Sequence, residues 1–264
     1  MEQDVLELNE RERIAYTVRG DGPLVVLSYI FGAPAWGDVS RLAQRCTVAA
    51  PEWLESTTEF ETRSSLRWFA PFVRALGFER AALATWSLGA PPAIRFAASG
   101  PADLSHLVLV DPAGLRPGLP PGLPPLKLSD VPYFVLAHVL GRPTRGYARA
   151  RWRAWVRNPA VDTRALEELD YRFLSRPGAL RTNSRLERDA VQRPLLDELA
   201  SVVVPTLLLA GRHSTVLGPD YAERAAARLP QGKLVVFEES AHALQLEEPE
   251  RFQDEVADFV RGSG

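Results

Sequence analysis

Apolar residues gather into short, nearly unbroken runs along much of this chain. They are RIAYTV (13–18), LVVLSY (24–29), CTVAA (46–50), RAALATW (80–86), HLVLVD (106–111), TLLLA (206–210) and KLVVF (233–237). Runs of this length with little polar alternation suit strands covered on both faces, as in a parallel sheet. Between them the spacing changes to helical. SSLRWFAPFVRALG (64–77) opens on a serine cap and stops at Gly77, with Pro71 inside it; DYAERAAARLPQG (220–232) opens on Asp220; EPERFQDEVADFV (248–260) is amphipathic. Alternating strands and helices predict an α/β fold, a mostly parallel sheet flanked by helices. The alternation fails after residue 115. GLRPGLPPGLPPLKLSD is a Pro/Gly-rich connector, and the segments 131–141, 145–157 and 163–175 that follow all have helical spacing. We therefore expect a core of residues 1–115 and 196–264 carrying a helical cap at 116–195.

Composition narrows the function. The 264 residues hold 31 Lys and Arg against 33 Asp and Glu, a formal charge of −2, which gives no general attraction to nucleic acid. No run approaches the roughly 20 apolar residues of a membrane span, and the N-terminal stretch is acidic without a signal-like apolar segment. The expectation is a cytoplasmic protein with neither nucleic acid nor membrane as a partner. One cysteine, Cys46, opens a strand-like run and suits packing better than chemistry. The four histidines are scattered, and neither a metal-binding spacing nor a phosphate- or dinucleotide-binding glycine loop occurs, so no metal or other cofactor is expected.

Candidate chemistry centres on ALATWSLGAPP (82–92), where strand character ends at Trp86 and helical character begins after Ser87. Ser87 at such a junction is either a nucleophile on a tight turn or a helix cap. His242 lies between the last strand-like run and the last helix. Together these features resemble the α/β-hydrolase superfamily, especially its small cap-bearing members, from about residue 5 to 262. The resemblance implies Ser87 as nucleophile, His242 as general base, and the N–H groups of Leu88 and Ile30 as the oxyanion hole. It also puts Trp86 and Tyr29 beside the substrate. The sequence departs from the family in three places. Ser28 and Tyr29 stand where members usually carry His-Gly, Thr85 replaces the first glycine of the elbow, and Gly211-Arg212-His213-Ser214 holds no carboxylate where the acid usually lies. Asp111, ending HLVLVD beside the elbow strand, is our expected substitute; orientation by Ser214 or water, and loss of catalysis, are the other readings. His106, His138 and His213 are expected to be structural.

The net charge hides an asymmetry. Residues 116–195 hold 15 basic and 7 acidic residues, a formal +8 against −10 for the rest. Arg149, Arg153 and Arg157 share one helix face by their spacing. They are either a solvated stripe or a site, with Arg153 at its centre, for an anionic substrate or an acidic carrier protein. The expected function is serine-dependent acyl chemistry, hydrolysis or transfer, on a small organic or carrier-bound substrate. A biosynthetic transferase, cyclase or eliminating enzyme, and a non-catalytic binder of small molecules, are the alternatives.

Overall fold

The computed structural model describes residues 4–9, 12–53, 66–117 and 128–262. Among these the strands form one eight-stranded sheet in the order β1-β2-β4-β3-β5-β6-β7-β8. The strands are β1 (Asp4–Asn9), β2 (Glu12–Arg19), β3 (Leu24–Ser28), β4 (Thr47–Trp53), β5 (Ala81–Trp86), β6 (Leu104–Val110), β7 (Thr206–Gly211) and β8 (Gly232–Phe237). β1 and β2 run antiparallel to their neighbours, and β3 to β8 are parallel. The parallel strands are the apolar runs of the sequence, and β5 and β7 are buried along their whole length. Two apolar clusters cover the two sheet faces, because alternate residues of one strand point to opposite sides: Val25 and Leu27 pack in one, Leu24 and Val26 in the other. β1 has no counterpart among the expected strands. Its sequence, DVLELN, sets acids among the apolar residues, and Val5 is exposed on this edge strand.

The helices are α1 (Ser40–Ala43), α2 (Phe69–Ala75), α3 (Ala90–Ala98), α4 (Val131–His138), α5 (Arg145–Trp155), α6 (Arg164–Leu174), α7 (Ala179–Gln192), α8 (Pro219–Ala226), α9 (Leu244–Glu247) and α10 (Pro249–Gly262). Pro71 sits in the first turn of α2, where a missing N–H breaks no helical bond. The serine cap expected for this segment, at 64–65, lies outside the described residues, as does the middle of the Pro/Gly-rich connector, 118–127. The cap of α8 is Gly218, and Asp220 falls in the first helical turn instead. α4 to α7 are inserted between β6 and β7. α7 was not singled out from the sequence, and two of its residues prove central to the site. No helix among the described residues is long and apolar enough to cross a membrane.

Candidate active site

Parallel strands bring their C-terminal ends to one edge of the sheet, and the candidate residues sit there. Ser87 follows β5, Asp111 follows β6, Ser214 follows β7 and His242 follows β8. Three non-glycine residues among those described have positive φ: Leu66, Ser87 (52°) and Asp111 (37°). Two of these three are candidate site residues, and such conformations persist only where the surroundings enforce them. The enforcing contacts are visible. Ala113 N–H donates to the Ser87 carbonyl at 3.0 Å, and Asp111 N–H donates to the Leu209 carbonyl at 2.7 Å. Both turns are thereby tied to neighbouring strand ends.

The side chains converge. His242 Nε2 lies 2.8 Å from Ser87 Oγ, and His242 Nδ1 lies 2.5 Å from Asp111 Oδ2. All three residues are buried, with Asp111 at 0% exposure. Asp111 Oδ2 also accepts from Ser214 Oγ at 2.5 Å, and Asp111 Oδ1 accepts from Gly211 N–H at 3.3 Å. Ser214 thus sits where the family pattern leads one to expect the acid, but it binds the carboxylate of Asp111 and leaves His242 to that carboxylate. A carboxylate only accepts, so neutral His242 carries its proton on Nδ1 and accepts from Ser87 O–H at Nε2. Tyr29 lines the same small cavity as Ser87 and His242. Burial pushes the Tyr29 phenol well above its usual range, so it stays protonated.

Two glycines make this convergence possible. A Cβ on Gly211 would meet the Ala241 carbonyl at 1.9 Å, so the strand end and the His242 loop touch backbone to backbone. A Cβ on Gly89 would meet Thr85 Oγ1 at 2.0 Å. Threonine at the first elbow position is therefore accommodated by filling the space that Gly89 leaves open. The His242 loop is held by the inserted helices too. His242 and Ala243 N–H groups both donate to the Trp155 carbonyl at 3.0 Å. Glu247 accepts from the backbone N–H groups of Arg157 (2.6 Å), Asn158 (2.8 Å) and Ala241 (2.8 Å), clamping the end of α5 to the loop.

Trp86 and Trp155 flank the imidazole, with ring centroids 5.1 and 5.5 Å from it. Trp86 is fully buried and donates Nε1–H to the His242 carbonyl at 2.9 Å. It supports the loop and is not among the described residues lining the cavity at Ser87. That cavity, about 10 Å³, is lined by Tyr29, Ser87, Leu88, Arg151, Trp155, Asn183, Glu187, Val216 and His242. Tyr29, Leu88 and Asn183 also line a larger groove of about 570 Å³ between α3 and α7, which Ile30 borders. Leu88 N–H lies in the helical turn that starts at Ser87, where first-turn donors have no intrahelical acceptor.

The arginine stripe lies elsewhere. Arg153 is bidentate to Asp130 at 2.6 and 2.7 Å, Arg149 lies 3.5 Å from Glu167, and Arg157 lies 3.2 Å from Glu239. Arg153 is half-exposed and is not among the described residues lining either cavity. The arginine that does reach Ser87 is Arg151, nearly fully buried with Asp170 and Glu187. Sequence reasoning missed all three. The signal was present: Tyr147, Arg151 and Trp155 share a face at i, i+4 and i+8, which puts one charge inside an aromatic stripe. His106 and His138 make local contacts with Ser105 Oγ and Tyr147 O–H, away from Ser87.

Residues 24–255 match the family model described as the Alpha/beta hydrolase family, and the chain belongs to that family. It is 27% identical over 262 residues to the pimeloyl-[acyl-carrier protein] methyl ester esterase of Aeromonas hydrophila, covering 91% of this chain and 96% of that one. It is also 27% identical over 278 residues to a 2-hydroxy-6-oxononadienedioate/2-hydroxy-6-oxononatrienedioate hydrolase of Pseudomonas putida, covering 97% and 90%. Among solved structures it is similar to the meta-cleavage product hydrolase of Pseudomonas fluorescens IP01, with a TM-score of 0.74 at 20% identity over 96% of each chain. At that identity the structural likeness is one of fold.

Proposed function

We propose that this chain is a serine hydrolase acting on a carbonyl substrate, an ester, thioester or amide. The observation that carries the reading is the hydrogen-bonded series from Ser87 Oγ to His242 Nε2 and from His242 Nδ1 to Asp111 Oδ2. In this reading Ser87 Oγ attacks the carbonyl carbon and its proton passes to His242 Nε2. Asp111 fixes the tautomer and stabilises the imidazolium. The oxyanion takes hydrogen bonds from Leu88 N–H and, across the groove, from Ile30 N–H, typically about 3–4 kcal/mol per donor. The tetrahedral intermediate collapses, the carbonyl–heteroatom bond breaks, and His242 protonates the leaving group. Water then attacks the acyl-enzyme, His242 takes its proton, and the acid is released as that proton returns to Ser87. The aromatic walls and hydrolytic relatives support a small-molecule substrate, and no cofactor enters any step.

The test is covalent labelling with an activated alkylphosphonate. Mass spectrometry should place the adduct on Ser87, and Ser87→Ala and His242→Ala should abolish it while retaining the native melting transition. A folded wild-type protein that forms no adduct at Ser87 would remove this reading.

A further inference from the structure

The polar cluster facing Ser87 from the inserted helices is larger than any step above requires. Arg151 of α5 lies 3.3 Å from Asp170 of α6 and 3.8 Å from Glu187 of α7. Asn183 Nδ2 donates to Glu187 Oε1 at 2.9 Å. A carboxylate cannot donate, so the amide is oriented with its Oδ1 free. That Asn183 Oδ1 and Arg151 Nη1 are both buried and have no hydrogen-bond partner among the described residues. An unmet donor and an unmet acceptor therefore belong to side chains that line the Ser87 cavity. Burying such groups unpaired is unfavourable, and a bound group that pairs with both would recover that cost.

The chemistry of that group is constrained three ways. It must accept from Arg151 and donate to Asn183. It must be small, because the cavity at Ser87 is about 10 Å³. It must not be anionic, because the one guanidinium already lies against the carboxyl groups of Asp170 and Glu187 and has no charge left to offer. Burial raises the Asp170 carboxyl to about 6, so it is still mostly ionised at neutral pH. Resting on the serine hydrolase reading, we propose that the substrate carries a hydroxyl within a few bonds of the scissile carbonyl, read by Arg151 Nη1 as donor and Asn183 Oδ1 as acceptor. A carboxylate at the same place is rejected. The +8 charge of the insertion thus gives a misleading picture of the surface the substrate meets.

The experiment uses phosphonates that label Ser87 by displacing 4-nitrophenolate. Three ethyl 4-nitrophenyl phosphonates differ only in the carbon arm: 2-hydroxypropyl, its isostere isobutyl, and carboxymethyl. A second pair varies the alkoxy arm, 2-hydroxyethoxy against propoxy. In the wild type the hydroxylated member of one pair should label at least about tenfold faster than its isostere, the scale of discrimination expected when a site is built to bind a hydroxyl. The carboxymethyl probe should be the slowest. Asn183→Leu should bring the hydroxyl-to-methyl ratio within about twofold, and Asp170→Asn, which removes a negative charge beside Arg151, should raise the carboxymethyl rate relative to the isobutyl rate. Equal labelling by both members of both pairs in the wild type would overturn the hydroxyl site alone. Absence of labelling by every probe would overturn the nucleophile reading itself.

Discussion

The Asp111 carboxylate receives three hydrogen bonds and gives none: from His242 Nδ1, Ser214 Oγ and Gly211 N–H. Both carboxylate oxygens are occupied, so a carboxamide in its place would have to turn an N–H toward a donor. Asp111→Asn should reduce kcat on any ester substrate by about 10³–10⁴, since it disturbs the imidazole tautomer. Ser214→Ala removes one donor to the carboxylate but leaves the tautomer intact, and should cost at most about tenfold. Steady-state kinetics on the two variants decide the matter; comparable losses would mean that Ser214 shares the orienting role. How far this was legible differs by residue. Ser87 and His242 were readable because their places are fixed by chain order alone. Asp111 was readable as one option among several, because the sheet order was needed to show that the ends of β6, β7 and β8 meet. Arg151, Asn183 and Glu187 were not read, because charge on a helix is normally solvated. Only the packing of α5 against α6 and α7 turns these groups inward.

At the level of elements, the turn from β5 into α3 depends on a pair of residues. Gly89 has φ −71°, an ordinary helical value, so its need to be glycine is steric and comes from Thr85. Gly89→Ala should destabilise the wild type by about 1–3 kcal/mol, the usual cost of overpacking. In a Thr85→Ala background ordinary contacts remain, at 3.4 Å to the residue-85 Cβ and 3.8 Å to the Ser28 carbonyl oxygen, and the same change should be neutral or stabilising because alanine favours helix. Denaturant melts of the four proteins form a double-mutant cycle; a coupling near zero would show that Gly89 answers to some other neighbour. The parallel strands were legible as apolar runs because both their faces are covered. β1 was not, since an edge strand open to solvent admits acids among its apolar residues and gives no unbroken run. The individual helices of the insertion were legible by spacing, but their attachment was not. The bonds from Glu247 and the Trp155 carbonyl join segments about 90 residues apart in sequence, and no local pattern encodes them.

At the scale of the whole molecule, the buried cluster under the inserted helices should govern how stability responds to acid. Asp170 is fully buried, and burial lifts its carboxyl from 3.8 to about 6, with Arg151 pulling the other way. Burial also raises the Glu187 carboxyl, again opposed by Arg151. Arg151 stays protonated throughout: burial works against its charge, but Asp170, Tyr147, Glu187 and Tyr29 together outweigh it. Between pH 3.8 and about 6 the folded protein holds a proton on Asp170 that the unfolded chain has released. The folded state then binds more protons, so this contribution to stability falls as pH rises through the window and stays at its lowest above it. The sign is opposite to that of a salt-bridged surface carboxylate such as Asp162, which Arg164 hydrogen bonds hold near 2. Asp170→Asn removes the titration while keeping the shape and leaving Glu187 in place. The difference in unfolding free energy, wild type minus Asp170→Asn, should therefore drop by roughly 2 kcal/mol between pH 4 and pH 7, most of what a shift of about two units implies, since the unfolded carboxyl is still partly protonated at pH 4. Urea melts of both proteins at the two pH values measure it directly. A difference that does not change with pH would mean that Asp170 stays ionised across the window, held down by Arg151 against its burial.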